Sequence, residues 1–148
     1  GAKRLKLEIA DGVEWLAGSD QAFDLILVDG FDADARAGAL DTLPFYQACR
    51  ARLTGSGLLG VNLLGRNKGF AASVERIRTA FDGRVAVFPS CDSGNTIAFA
   101  TGGEPVAVTL DEMRARAQRL KTDSGLDLLS TISRLQLGHP LPDGLLRI

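Results

Sequence analysis

The sequence predicts an α/β fold, a mostly parallel sheet with helices on both faces, followed by a helical tail. Apolar runs bounded by turn residues alternate with segments whose apolar residues recur at helical spacing. Two of those runs, Leu25 to Val28 and residues 57–64 (GLLGVNLL), are nearly uninterrupted, which suits strands buried on both faces. After residue 102 the patterning turns helical.

In chain order, residues 5–9 (LKLEI) alternate and read as a short strand. Asp11-Gly12 opens a short helix around Val13, Trp15 and Leu16, and strand 24–29 follows. A loop rich in Asp, Ala and Gly leads to a helix near Thr42, with Pro44 in its first turn, where a missing N–H costs nothing. Its apolar face is Phe45, Cys49 and Leu53, and TGSG (54–57) is expected to stop it. The strand at 57–64 then turns through GRNKG (65–69) into a helix with the face Phe70, Val74, Ile77 and Phe81, ended by Asp82-Gly83. RVAVFP (84–89) and TIAFAT (96–101) read as two final strands around SCDSGN (90–95).

Thr109 and Glu112 form a capping box ahead of the stripe Leu110, Met113, Ala117 and Leu120. A second amphipathic helix uses Leu128, Leu129, Ile132 and Leu135, and the turn-rich end GHPLPDGLLRI is expected to be loosely held. The expected division is 1–102, the sheet-bearing part, and 103–148, an amphipathic helical tail.

The 148 residues suffice for one domain with a real core, and 45% are hydrophobic against 24% charged. A formal net charge of −1 gives no bulk attraction to nucleic acid or an anionic membrane. No apolar run approaches the roughly 18 residues of a membrane span, and GAKRLKLEIA does not read as a secretory signal. Cys49 and Cys91 make no disulfide framework, so a reducing cytoplasm is the expected compartment.

FDLILVDGFDADA (23–35) places Asp29, Asp32 and Asp34 at the exit of a strand, and Asp11 follows another expected strand. Ligands of open α/β sheets bind beyond the carboxyl ends of strands, so these acids are site candidates, although strand-exit aspartates also cap helices and turns. Other signals are weaker. The G-x-G-x-x-G at Gly55, Gly57 and Gly60 follows a helix and leads into a strand, the reverse of a dinucleotide site, and Gly55 reads as a helix cap. GRNKG could hold an anion at a helix start, yet a basic surface turn is the simpler account. A calcium loop from Asp32 would meet Arg36 and Leu43 where oxygen ligands are needed, and no metal is expected. The single histidine, His139, sits in the Pro-rich end, so no base is apparent for Cys91. DLILVD also resembles a receiver-domain acceptor strand, but 18 positions between Asp11 and Asp29, and Asn62-Leu63-Leu64 at the next strand end, fit that family poorly.

Taken together, ADGVEWL (10–16), FDLILVDGFDADA (23–35), LPFYQACRARLTGSGLLGVNL (43–63) and GNTIAFA (94–100) resemble the spermidine synthase family. These are aminopropyltransferases on the Rossmann-like fold of class I S-adenosylmethionine-dependent methyltransferases. The likeness runs from about residue 5 to residue 102 in the family's order. It implies that Asp11 and Gly12 contact the adenine of the nucleoside, that Asp29 assists the attacking amine, and that Asp32 binds the polyamine. The implied co-substrate is decarboxylated S-adenosylmethionine or S-adenosylmethionine, with no tightly bound cofactor.

That reading explains the crowded carboxylates, because a diamine and a sulfonium donor are both cationic. At 4 Å and an effective dielectric near 20, each opposite pair attracts by about 4 kcal/mol before desolvation. Carrying a proton from an ammonium near pKa 10.4 to an unperturbed aspartate near 3.9 would cost about 9 kcal/mol. Asp29 must therefore either be made more basic by Asp32 and burial, or orient an amine that arrives neutral.

The sequence also departs from the family. Its D-S-S-D-P is Asp29-Gly30-Phe31-Asp32-Ala33 here, Asn62 stands in place of a frequent glutamine, and SCDSGN lacks the aromatic residues of the polyamine pocket. The family's glycine-rich nucleoside loop and ribose-binding acid should precede residue 5, so the sheet is expected to be incomplete at its N-terminus. The chain is thus expected to be a fragment, a rearranged fold or part of an intertwined oligomer that hides the open edge. In its complete form it is expected to be a transferase moving an aminopropyl group to a diamine, with this chain alone inactive and a homo-oligomer, a homodimer, as the assembly. The alternative is a catalytically silent domain with a binding or assembly role.

Overall fold

Six residues, Phe23–Val28, five of them apolar, form β1, which lies parallel to the longer β2, Leu53–Leu64. β4 (Asn95–Thr101) is antiparallel both to β2 and to β3 (Val85–Val87), giving the order β1-β2-β4-β3. β1, β2 and β3 therefore point one way and β4 alone is reversed, slotted between β2 and β3. The computed structural model describes residues 5–31, 38–65, 69–89, 94–138 and 141–148.

The helices begin where the sequence supplies caps. Asp11 caps α1 (Gly12–Gly18), and the hydroxyl of Thr42 accepts from the Phe45 N–H at the start of α2 (Leu43–Ala51), with Pro44 in the first turn. α3 (Phe70–Ala80) stops at Asp82 and Gly83, both at positive φ. The Thr109–Glu112 capping box starts α4 (Leu110–Ser124), Gly125 ends it in the left-handed conformation, and α5 (Leu129–Gly138) follows.

Strand alternation sorts the two faces of the sheet. Leu59, Val61, Leu63, Ala98, Ala100 and Val85 turn toward α1, α2 and α3, where they meet Tyr46, Cys49, Ile77 and Phe81, four side chains with no exposed surface. The opposite face carries Gly60, Asn62, Ile97 and Phe99. There Ala86 of β3 packs with Leu135 of α5 and Leu146, which covers one side of that face and leaves the side toward β1 open.

Several expectations are corrected. Residues 5–9 form no strand, and Leu5, Leu7 and Ile9 are 81%, 84% and 100% exposed; alternation makes a strand only where a ladder partner exists. β1 is buried on one face only: Ile26 and Val28 join the core, but Leu25 and Leu27 are 51% and 70% exposed on an edge strand. TGSG does not end a helix. Arg52 caps α2, Leu53 already belongs to β2, and Thr54–Gly57 bulge out of register between the pairs Phe23↔Leu53 and Leu25↔Leu58. A Cβ on Gly57 would come within 2.8 Å of the Phe23 carbonyl oxygen, so the bulge needs glycine there. The turn-rich end is also held: β6 (Leu145–Arg147) pairs with β5 (Ala107–Thr109), and the backbones of Val106 and Ile148 exchange two hydrogen bonds beyond it.

Candidate functional site

Val28 is the last residue of β1, and Asp29 leaves the sheet directly after it. Its carboxylate is exposed, but it is not loose. The side-chain amide of Asn62, on the neighbouring β2, donates to Asp29 Oδ1 at 2.9 Å. Val28 pairs with Val61, so the register puts Asn62 one step further along β2 and level with Asp29. The other amide atom, Asn62 Oδ1, is buried and has no hydrogen-bond partner.

Asp29 and Asn62 line an open cleft of about 600 Å³ on the half-covered face of the sheet. Its floor is apolar: Leu27, Gly60, Ile97 and Phe99, with Phe88 set edge-on to Phe99 at 5.3 Å between ring centres. Thr131 and Arg134 of α5 also line it. Among the described lining residues Asp29 is the one acid and Arg134 the one base.

Asp11 is placed by its role as the cap of α1. Its Oδ1 accepts from the Val13 and Glu14 N–H groups at 2.9 and 3.0 Å, which leaves Oδ2 uncommitted. Gly12, next to it, borders a different cavity with Leu7, Trp15 and Phe23. The two aspartates are linked through Leu40: its side chain lies 3.5 Å from where a Gly12 Cβ would stand and 2.5 Å from that of Gly30. Gly30 thus lets Leu40 pack against the chain right behind Asp29. The structure brings Asp11 and Asp29 to the two sides of one leucine rather than into one cavity. Asp32, with Asp34, lies outside the described residues, as do Arg66, Lys68, Cys91 and His139.

Beneath the site, Asp41 ties α2 to α3. It accepts from the Tyr46 hydroxyl at 2.9 Å, from Ser73 Oγ at 2.7 Å and from the Arg76 guanidinium. Burial, then the Asp41 charge, holds the Tyr46 phenol well above its ordinary range, so it stays a donor. Sequence reading named Asn62 only as a departure. Its bond to Asp29 depends on strand register, and Arg134 enters the cleft through the docking of α5, which no local pattern announces. Among the described residues no group of three His, Cys, Asp or Glu could hold a metal ion.

The sheet, with one reversed strand between parallel ones and a site beyond the carboxyl ends, has the fold of class I S-adenosylmethionine-dependent methyltransferases. Human methyltransferase-like protein 13, solved in complex with SAH, superposes on 88% of the chain, 60% of its own, with TM-score 0.69 and 22% identity, a likeness of fold. Within that class the chain is spermidine synthase-like. The polyamine aminopropyltransferase of Neisseria meningitidis serogroup A is 33% identical over 137 residues, 91% of this chain and 52% of that protein. That of Chromobacterium violaceum is 31% identical over 86% of the chain and 49% of its own length. A spermidine synthase in complex with the transition-state analogue AdoDATO superposes on 66% of this chain and 36% of its own at 30% identity, TM-score 0.55. The chain spans about half the length of the curated relatives it matches. No protein-family model matches it.

Proposed function

We propose that the chain carries the amine-acceptor side of an aminopropyl transferase. The observation that carries this reading is Asp29, the first residue past the end of β1, held by Asn62 where it lines an apolar cleft on the face of the sheet. In the reaction, the acceptor nitrogen attacks the aminopropyl carbon next to sulfur in decarboxylated S-adenosylmethionine. A C–N bond forms, the C–S bond breaks, and its electron pair stays on the sulfur of departing methylthioadenosine, while the nitrogen gives up one proton. Asp29 orients the amine and receives or relays that proton, Asp32 adds a second carboxylate for the polyamine, and Asp11 with Gly12 faces the adenine. The uncommitted Oδ2 of Asp11 is consistent with an amino donor at that position. The nucleoside is a co-substrate, released each turnover. A cytoplasmic location would fit the polyamine chemistry, and a homo-oligomer would shield the β1 edge.

A second reading, a catalytically silent domain with an assembly role, draws on that edge, where Leu25 and Leu27 are exposed.

Calorimetric titration with decarboxylated S-adenosylmethionine and methylthioadenosine separates the two. The chain is tested beside a form extended at its amino terminus by the preceding codons of its gene. Micromolar binding by the extended form, weakened by Asp11→Ala, supports the transferase. Binding by neither form leaves assembly as the account.

A further inference from the structure

We propose that the alkyl chain of the acceptor amine lies on a floor that Leu27 and Phe99 make over Gly60, and that Phe99 makes affinity depend on the length of that chain. This rests on the transferase reading above and assigns the residues that recognise the apolar part of its acceptor. The ladder fixes the geometry. Gly60 of β2 pairs with Leu27 of β1 on one side and with Phe99 of β4 on the other, so the three form one row across the sheet. Asn62, paired with Ile97, belongs to the next row on the same face, and Asp29 stands level with it. The two rows are two residues apart, about 6.6 Å along the strands. An amine held at Asp29 can therefore lay a short methylene chain back over Gly60, between Leu27 and Phe99.

Gly60 is what allows that floor. A Cβ there would lie 3.0 Å from Leu27 Cδ2 and 3.2 Å from Phe99 Cε1, so the two side chains lean over bare backbone from either side. Phe99 lines the cleft half-buried, and Phe88, whose N–H donates to the Ile97 carbonyl, braces its ring edge-on. Phe88 and Phe99 are the two aromatic residues of the described lining, and the loop sequence 90–95 contains none. The row of Leu27, Gly60 and Phe99 carries no charge or hydrogen-bonding side chain, so it reads methylenes and leaves the amine to Asp29. Each methylene moved from water onto such a surface strengthens binding about threefold. Phe99 is thus a specificity residue for the acceptor's chain length.

The test is an NMR titration of the whole chain with 1,3-diaminopropane, putrescine and cadaverine, which differ only in methylene count. Wild type, Asp29→Asn, Phe99→Ala and Leu27→Ser are compared, with melting curves confirming that each is folded. Leu27 is 70% exposed, so its replacement leaves the core intact and serves as the reading should Phe99→Ala not fold. Wild-type affinity is expected to rise about threefold per added methylene. Phe99→Ala and Leu27→Ser should flatten that rise, whereas Asp29→Asn should weaken all three diamines alike and keep it. Equal affinity for the three in wild type, or a rise that the folded floor variants leave unchanged, overturns the proposal. If Asp29→Asn still weakens every amine in that case, the amine site stands without the floor. No binding of any amine overturns the amine site and this proposal with it.

Discussion

The Asn62 amide donates to Asp29 Oδ1 across two parallel strands, at 2.9 Å, and thereby aims the acidic group at the strand exit. The bond is solvent-accessible, so its worth is about 1 kcal/mol. Asn62→Ala is expected to weaken amine binding roughly fivefold with little change in melting temperature. Asn62→Gln, one methylene longer, should recover part of the loss. Paired titrations and melting curves check both.

Asp41 gathers three donors from two helices, and its own side chain is 19% exposed. Asp41→Ala would leave the Tyr46 hydroxyl, in a residue with no exposed surface, without its acceptor. A loss of about 3 kcal/mol is expected in urea denaturation. Arg76→Ala should cost less, since Ser73 and Tyr46 still satisfy the carboxylate.

Four exposed carboxylates sit below the usual range, among them Glu8 through side-chain hydrogen bonds from Lys6 and Trp15. Asp82 is lowered by a hydrogen bond and the charge of Arg50, Glu112 by the Thr109 backbone N–H and hydroxyl, and Asp127 by Lys121. Each is easier to ionise folded than unfolded, so its contribution is present above the ordinary carboxylate pKa of about 4 and disappears as pH falls through the depressed one. Stability should be level from about pH 7 to 5 on this account and decline below about 4. Asp82→Asn should make that decline shallower, as read from denaturation midpoints along a pH series.

Cys49 has no exposed surface, and burial pushes its thiol up to about 12. In a Cys91→Ser background the folded chain should therefore leave a thiol reagent unreacted at neutral pH and release one equivalent in urea. Rapid labelling of the native form would show that α2 does not pack as described.

Gly57 sits where an added Cβ would meet the Phe23 carbonyl, Leu53 Cβ and the Thr54 nitrogen, all under 3.0 Å. Two of those atoms are backbone and cannot yield cheaply. Gly57→Ala is expected to destabilise by about 2 kcal/mol, while Gly55→Ala, with open space around it, should change little.

What the sequence discloses is what neighbouring residues decide. The Thr42 and Thr109 caps, the Phe45–Cys49 and Phe70–Phe81 faces and the Asp82-Gly83 stop all involve residues within a turn or two of one another, and each stands as expected. Pairing is decided across the chain, and there the reading failed. LKLEI alternates but has no partner strand; TGSG looks like a stop but bulges within β2; LLR looks like tail but completes a ladder with residues 107–109. The site divides the same way. Asp29 is visible at its strand exit, whereas its bond to Asn62 and the approach of Arg134 exist only once register and helix docking are set.

The reversed strand also dictates an order of assembly. β3 and β4 are a hairpin, with Val85 facing Ala100 across a short connection, while β1 and β2 are joined earlier in the chain. The seam between these halves is the seven-pair ladder from Leu58↔Thr101 to Leu64↔Asn95. On a ribosome, residues 23–64 emerge with the inner edge of β2 bare and wait for residue 101 before it can close. Closing that seam pairs residues far apart in the chain, the kind of contact that slows folding more than local helix formation does.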